Sequence, residues 1–255
     1  MTAVPEDMGR RWYAPSAIRS NAAYNRHPMS TLYLVRHGQA SFGTHDYDRL
    51  SALGVRQVEL LRDHLGALAD TPHSIYSGSL KRQKHTARIL ADGDEEAITT
   101  LPAFDEYSAG SLIRAHAART GITLPEPGGD TPIDPRAFQR RLEEVGLLWA
   151  EGRLQAPGVE PWQAFSDRVA AAIAEVMARE GRARRVVVST SAGVVGAAVG
   201  HLLGLPPREA VKLSWSVHNS SVTRIQYDSA RTSLLSFNAV PHLEHPERRS
   251  LLTFR

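Results

Sequence analysis

The chain has 255 residues, of which 30 are Lys or Arg and 27 Asp or Glu, giving a formal charge of +3, and 42% of its residues are hydrophobic. That composition fits a globular protein able to bury a full core, and a single domain is the simplest expectation. Cysteine is absent, which excludes disulfides, thiol nucleophiles, cysteine zinc sites and iron-sulfur clusters together. The arginines are scattered rather than blocked, which argues against nucleic acid as a partner.

Residues 1–28 carry Arg10, Arg11, Arg19 and Arg26 without the apolar core of a signal peptide, and read as a loose extension ahead of one domain spanning 29–255. The first strand is predicted from Thr31 to Arg36. After a Gly/His/Asp loop, Leu50, Leu53, Val58, Leu61, Leu65 and Leu68 recur at helical spacing, with Ser51 placed to cap. A short strand around Ser74 to Ser77 leads into a helix from about Leu80 to Leu90, and a third strand near Ile98 to Leu101 leads into the loop holding Asp105 and Glu106. This βαβα alternation predicts an α/β fold.

From Ala109 to Pro135 the chain is rich in Gly and Pro and reads as an insertion. A helix follows, with Asp134 as N-cap, Pro135 in the first turn, and Phe138, Leu142, Val145 and Trp149 on one face. Residues from about 109 to 150 are expected to form a small helical cap over a site. A further helix carries Trp162, Phe165, Val169, Ile173 and Val176, ends near Gly181, and feeds the strongest strand, Arg185 to Thr190. Ala192 to Leu203 turns helical and stops at Gly204 and Pro206, and the runs Ser221 to Tyr227 and Ser233 to Phe237 read as a terminal hairpin or adjacent strands. No apolar run reaches the length of a membrane span, so a soluble protein without a membrane partner is expected. The Ala/Arg-rich, cysteine-free composition fits a bacterial cytoplasmic setting.

Chemistry is expected at the strand ends. Arg36-His37-Gly38 closes the first strand, where open α/β sheets bind ligands; alone, the tripeptide is an ordinary turn with a surface histidine. Arg82, in Ser77-Gly78-Ser79-Leu80-Lys81-Arg82, starts a helix just after the second strand, and Glu106 follows the third. Taken singly, each of these is as well explained by solvated surface charge.

Together, LYLVRHGQAS, YSGSLKRQKHTA, FDEYSAG, the run Trp162-x-x-Phe165-x-x-Arg168-Val169 and VVVSTSAGVVGA resemble the histidine phosphatase (phosphoglycerate mutase-like) superfamily, in family order from about Thr31 to the end. Asn219-Ser220-Ser221-Val222-Thr223, Phe237-Asn238 and His242-Leu243 resemble a branch whose opening motif reads RHGQAS. The resemblance implies a three-layer αβα sandwich with a mostly parallel sheet and helices on both faces. It implies a metal-independent phosphomonoesterase that needs no cofactor and acts on a small phosphorylated substrate. His37 would be the nucleophile that forms a phosphohistidine. Arg36 and Arg82 would hold the equatorial phosphoryl oxygens. Glu106 would be the proton shuttle, its pKa raised by burial or by a neighbouring carboxylate such as Asp105.

Two departures stand out. Where relatives place a second histidine in a Ser-His-Gly-Gly run, this chain reads Thr190-Ser191-Ala192-Gly193. Ser191 would then contact the phosphoryl group without bringing a charge, at a cost of roughly a hundredfold in rate unless His218 or His242 replaces it. In the opening loop many relatives read RHGET or RHGES and carry an asparagine three positions later, whereas here the positions are Gln39, Ala40 and Gly43, with Ser41 placed to supply the lost hydroxyl to the substrate. Both changes favour hydrolysis over mutase chemistry, which must retain a phosphorylated intermediate.

Two other readings remain open on sequence alone. Ser189-x-Ser191-x-Gly193 after a strand resembles a nucleophile elbow, with Asp228 and His242 following in α/β-hydrolase order. Alternatively, a degenerate member would bind a phosphorylated ligand without turning it over. No HExxH pattern points to a metal, no Walker-type loop points to a kinase, and Trp149, Trp162 and Phe165 sit on helical stripes that read as core. A homo-oligomer is neither required nor excluded.

Overall fold

The computed structural model describes residues 29–41, 48–68, 71–122 and 135–254, with side chains from 139 onward in the last segment. Six strands form one mixed sheet in the order β3-β2-β4-β1-β5-β6. They are β1 (Ser30–Arg36), β2 (Ser74–Ser77), β3 (Ile98–Thr100), β4 (Arg185–Thr190), β5 (Val222–Tyr227) and β6 (Thr232–Ala239). The pairs β3/β2, β2/β4 and β4/β1 are parallel, while β5 runs antiparallel to both β1 and β6.

The sheet is buried on both faces. Along β1, Leu32 and Leu34 pack into one apolar cluster while Tyr33 and Val35 pack into another; β4 repeats this with Val186 and Val188 against Val187. A continuous apolar run on a central strand is therefore two interleaved cores, one under each layer of helices. One layer is α1 (Ala52–Ala67) and α2 (Lys81–Leu90), whose Val58, Leu61, Leu65, Ala87 and Leu90 fill the second cluster. The other comprises α3 (Ala109–Thr120), α4 (Pro135–Ala150), α5 (Trp162–Glu180), α6 (Ala192–Leu203) and α7 (Pro207–Ser216). The expected three-layer sandwich is the observed fold.

Local chemistry fixes the helix ends. Ser51 Oγ accepts from Gly54 N at 3.0 Å and starts α1, a cap worth about 1 kcal/mol. Gly204, at φ +64°, ends α6 in the left-handed conformation.

Two helices were not anticipated from the sequence. Residues 109–120 form α3 because the Gly- and Pro-rich character begins only after them. Ser108 caps this helix through Ser111 N at 3.2 Å, and Gly121 ends it at φ +71°. Helix α7 has only a short apolar face, Ala210 and Val211, too little to show as a helical period. It forms because α6 offers glycines where the two helices meet: a Cβ at Gly196 would stand 2.7 Å from Ala210 O, and one at Gly200 2.4 Å from Ala210 Cβ. The extension 1–28, Gly43 and the proposed Asp134 cap lie outside the described residues.

The loop after β1 lies directly against α1. A Cβ on Gly38 would sit 2.3 Å from Gly54 O, and one on Gly54 would sit 2.1 Å from Gln39 O. Both neighbours are backbone and cannot swing aside. Gly54→Ala is therefore expected to lower stability by about 3 kcal/mol through overpacking, read as a shifted urea midpoint; an unchanged midpoint would show that the two segments do not meet this closely.

Candidate active site

The C-terminal ends of β1, β2 and β4, with the loop after β3, converge on one cavity of about 160 Å³, lined among others by Arg36, His37, Arg82, Glu106 and Gly193. Four of the six side chains expected from sequence thus share one space. Helices α3, α4 and α7 contribute Ala109, Leu142 and Trp215 to its walls.

His37 is buried and held at both ring nitrogens. Arg82 Nε donates to His37 Nε2 at 3.1 Å, and Nδ1 lies 2.7 Å from Gly38 O. A guanidinium nitrogen can only donate, so Nε2 is the unprotonated nitrogen and Nδ1–H donates to the carbonyl. Burial, then the charges of Arg82 and Arg36, hold the imidazole pKa well below its usual value. The ring is therefore neutral at physiological pH, with its lone pair on the side facing Arg82.

The supports come from distant parts of the chain. His37 N donates to Thr190 O at 2.8 Å across the β1/β4 junction. Asn219 Nδ2 donates to His37 O at 3.3 Å, and Asn219 Oδ1 accepts from Thr253 Oγ1 at 2.9 Å. Gln57 of α1 in turn donates to Thr253 Oγ1 at 2.8 Å, and its Oε1 accepts from Gln39 N at 2.9 Å. Arg82 is oriented by Asp48, whose Oδ1 meets Nη1 at 2.6 Å while its Oδ2 accepts from Lys81 N at 2.9 Å. Arg36 Nη1 donates to Val217 O. Asp48 and Gln57 went unrecognised in the sequence because a single Asp or Gln in a polar stretch carries no period or motif.

Glu106 sits across the cavity at the start of α6. Its Oε2 accepts from Gly193 N at 2.9 Å and its Oε1 from Tyr107 N at 3.2 Å. These bonds and the charges of Arg82 and Arg36 favour the carboxylate, yet burial outweighs them and the pKa is raised. Asp105 is not the cause: its carboxylate is turned away to accept from Ser79 N and Ser79 Oγ, which fixes the turn before α2. A Cβ on Gly193 would lie 2.1 Å from Glu106 Oε1, so glycine is what lets the carboxyl reach the helix.

Ser191 and Ser41 are placed differently from the other four. Ser191 is fully buried and its Oγ accepts from Gln83 Nε2 at 2.9 Å, so it ties α2 to the β4/α6 junction without lining the cavity. Ser41 N donates to Arg49 O at 2.8 Å and the residue likewise does not line the cavity, which Ala40 does. Neither histidine suggested as a replacement lines the cavity. His242 is buried against Ser220 Oγ at 2.8 Å and burial pulls its pKa down to about 3, whereas His218 stacks on Phe254 at 4.1 Å and contacts Asn238.

The esterase triad does not assemble. Asp228 caps the β5/β6 turn through Ala230 N and Arg231 N, beyond Tyr227, which pairs with the first residue of β1; Ser191 lies past the opposite end of β4. Of the arginines in the region expected to form a cap, Arg119 is exposed and donates to Arg153 O, Arg114 is exposed and donates to Ser111 Oγ, and the side chain of Arg136 lies outside the described residues. Among the described residues no group of three or more His, Asp or Glu is placed to hold a metal ion, and no helix is long and apolar enough to cross a membrane.

A family model for the histidine phosphatase superfamily (branch 1) matches residues 32–240. This chain belongs to that superfamily. Within the superfamily it is similar to a protein described as probable phosphoglycerate mutase GpmB from Salmonella paratyphi C, 30% identical over 210 residues that cover 80% of this chain and 87% of the relative. It also resembles the solved structure titled mycobacterial hydrolase 2, at a TM-score of 0.60 and 25% identity, with 88% of this chain and 97% of that one covered. Bacillus stearothermophilus YhfR shares the fold at a TM-score of 0.64 and 19% identity, covering 84% of this chain and all of that one, at 100%.

Ser191→Ala is expected to cost about 1 kcal/mol in melting experiments through the lost Gln83 bond. The wild-type protein should resist a fluorophosphonate probe; covalent labelling at Ser191 would restore the esterase reading.

Proposed function

We propose that this superfamily member is a metal-independent phosphomonoesterase working through a phosphohistidine on His37. One observation carries the reading: a buried imidazole, its Nε2 accepting from Arg82, lines a cavity that also holds two guanidiniums and a carboxyl of raised pKa.

In the first step a phosphoryl oxygen takes over the Arg82 N–H, releasing the Nε2 lone pair for in-line attack on phosphorus. The P–N bond forms as the ester P–O bond breaks, and Glu106 gives its proton to the departing oxygen. In the second step water attacks the phosphohistidine, its proton passes to the Glu106 carboxylate, and the P–N bond breaks to free phosphate. Arg36 and Arg82 meet the charge spread over the equatorial oxygens, and α6, whose first residues Ala192 and Gly193 line the cavity, presents its positive end to the same space.

Hydrolysis is favoured over mutase chemistry because Arg36 and Arg82 are the only cations among the described residues that line the cavity, which weakens retention of a doubly anionic intermediate. The substrate is a small phosphate ester, consistent with a cavity of about 160 Å³.

His37→Ala should reduce 4-nitrophenyl phosphate turnover by at least about 10⁴-fold, measured by phenolate release. Equal rates in both proteins would sink the phosphatase reading, and tight phosphate binding without hydrolysis of any ester would support a non-catalytic binder instead.

The pH profile gives a second check. A raised Glu106 pKa keeps the proton-donating form present above the usual carboxylate range, and donation fails as pH climbs past that value. For an alkyl phosphate, kcat/KM should therefore fall on the alkaline side, and Glu106→Gln should lose both that limb and most of the rate. A 4-nitrophenyl ester, which leaves as a stable anion, should depend less on pH. The acid limb set by His37 protonation should lie well below pH 6.5, the ordinary imidazole value.

A further inference from the structure

The turn between α7 and β5, residues 217–221, holds the Arg36-His37 dipeptide from below. Arg36 N donates to Ser221 O at 3.1 Å, and the Arg36 guanidinium donates to Val217 O. His37 O accepts from Ser220 N and from Asn219 Nδ2, both at 3.3 Å. Ser220 sits in this turn at φ +56°, a left-handed conformation that strains any residue carrying a Cβ. So turned, its N–H and the neighbouring Asn219 amide meet the same carbonyl oxygen. Such strain persists only where the surroundings hold it in place. Asn219 is secured by Thr253 O, which accepts from its N–H at 2.9 Å. Ser220 is secured through its side chain: the fully buried Oγ meets His242 Nε2 at 2.8 Å.

Packing alone gives no reason for an imidazole at position 242. The ring is buried, and its Nδ1 has no hydrogen-bond partner among the described residues, a cost that an aliphatic side chain of similar size avoids. What the ring adds is its bond to Ser220. Its own place is fixed independently of that bond. Leu243 N donates to Val240 O at 2.8 Å, Val240 and Leu243 pack on Leu60 of α1, and Arg248 Nη1 donates to His242 O at 3.0 Å. His242 is thus an anchored group that meets a strained one.

From this we infer that, within the proposed phosphatase reading, His242 is a positioning residue: it clamps Ser220 in the left-handed turn and through that turn sets the angle of the His37 ring. The His37 carbonyl belongs to the peptide that leads into Gly38, whose own carbonyl accepts from His37 Nδ1. A tilt of that peptide is therefore passed to the imidazole and to the line along which Nε2 meets phosphorus. His242 does not line the cavity, so it acts on the reaction through Ser220 and His37 and not by touching the substrate.

Substitutions at both ends of the bond test this with 4-nitrophenyl phosphate. His242→Leu fills the space without the bond, and Ser220→Ala removes the single oxygen that receives it, which keeps the test available should the leucine variant fail to fold. In each, kcat should fall at least about tenfold while KM stays within about twofold, because alignment is lost and binding is not. The double variant should lose no more than the worse single one, and His242→Gln, whose amide reaches toward Ser220 Oγ, should regain most of the rate. A lower melting temperature with unchanged kcat per folded molecule overturns the inference, as does a loss carried by KM or a product of the two single losses in the double variant. Any of these results leaves His37-dependent hydrolysis, and so the phosphatase reading, standing. If the wild type hydrolyses no ester, the NMR resonances of the His37 carbonyl and ring decide the clamp alone: a shift in Ser220→Ala supports it, and unchanged resonances remove it.

Discussion

The arrangement rests on one hydrogen-bonded unit, the His37 imidazole held between Arg82 Nε–H and the Gly38 carbonyl. The arginine can only donate and the carbonyl can only accept, so the ring has one tautomer without any proton needing to be placed by assumption. The same arginine that orients the lone pair adds to burial in keeping the ring from protonating. Orientation and charge state therefore have a common cause. Asp48 holds that arginine from the far side, so a residue outside the cavity wall sets the angle at which the guanidinium meets the ring.

The fold serves this unit by making close backbone approach possible. Gly38 and Gly54 let the strand-end loop lie on α1, Gly193 lets a carboxyl reach the first turn of α6, and Gly196 and Gly200 let α7 settle close enough to bring Trp215 to the cavity. Each is a place where a methyl group would collide with backbone or with a neighbouring side chain. Paired cores above and below the sheet hold the strand ends rigid, so side chains from Arg36 to Phe254 arrive at fixed positions.

Two carboxyl groups next to each other in the chain have opposite fates. Asp105 is satisfied by the backbone and hydroxyl of Ser79 and shapes a turn, while Glu106 points into the cavity, where burial outweighs two backbone bonds and two guanidiniums. Ser191, where the resemblance led to the expectation of a histidine, is likewise a structural tie to Gln83 that does not line the cavity. Among the described residues, Arg36 and Arg82 are consequently the cations that line the cavity.

Much of the architecture was legible in the residues themselves. The apolar runs at Leu32 to Val35 and Val186 to Val188 read as strands, and the positions of Ser51 and Gly204 marked helix ends. Motifs at successive strand ends placed Arg36, His37, Arg82 and Glu106 on one edge, because parallel strands bring their C-terminal ends together. What side chains do across that edge was beyond local pattern. Helix α7 is held by contacts with α6 rather than by its own period, Ser191 could not be known to face Gln83, and the links of Asp48 to Arg82 and Thr253 to Asn219 join residues 34 positions apart in each case. Periodicity reports which face of an element is buried, since that is a property of neighbours in the chain; which polar atoms meet is decided only when distant segments pack, and so belongs to the tertiary structure.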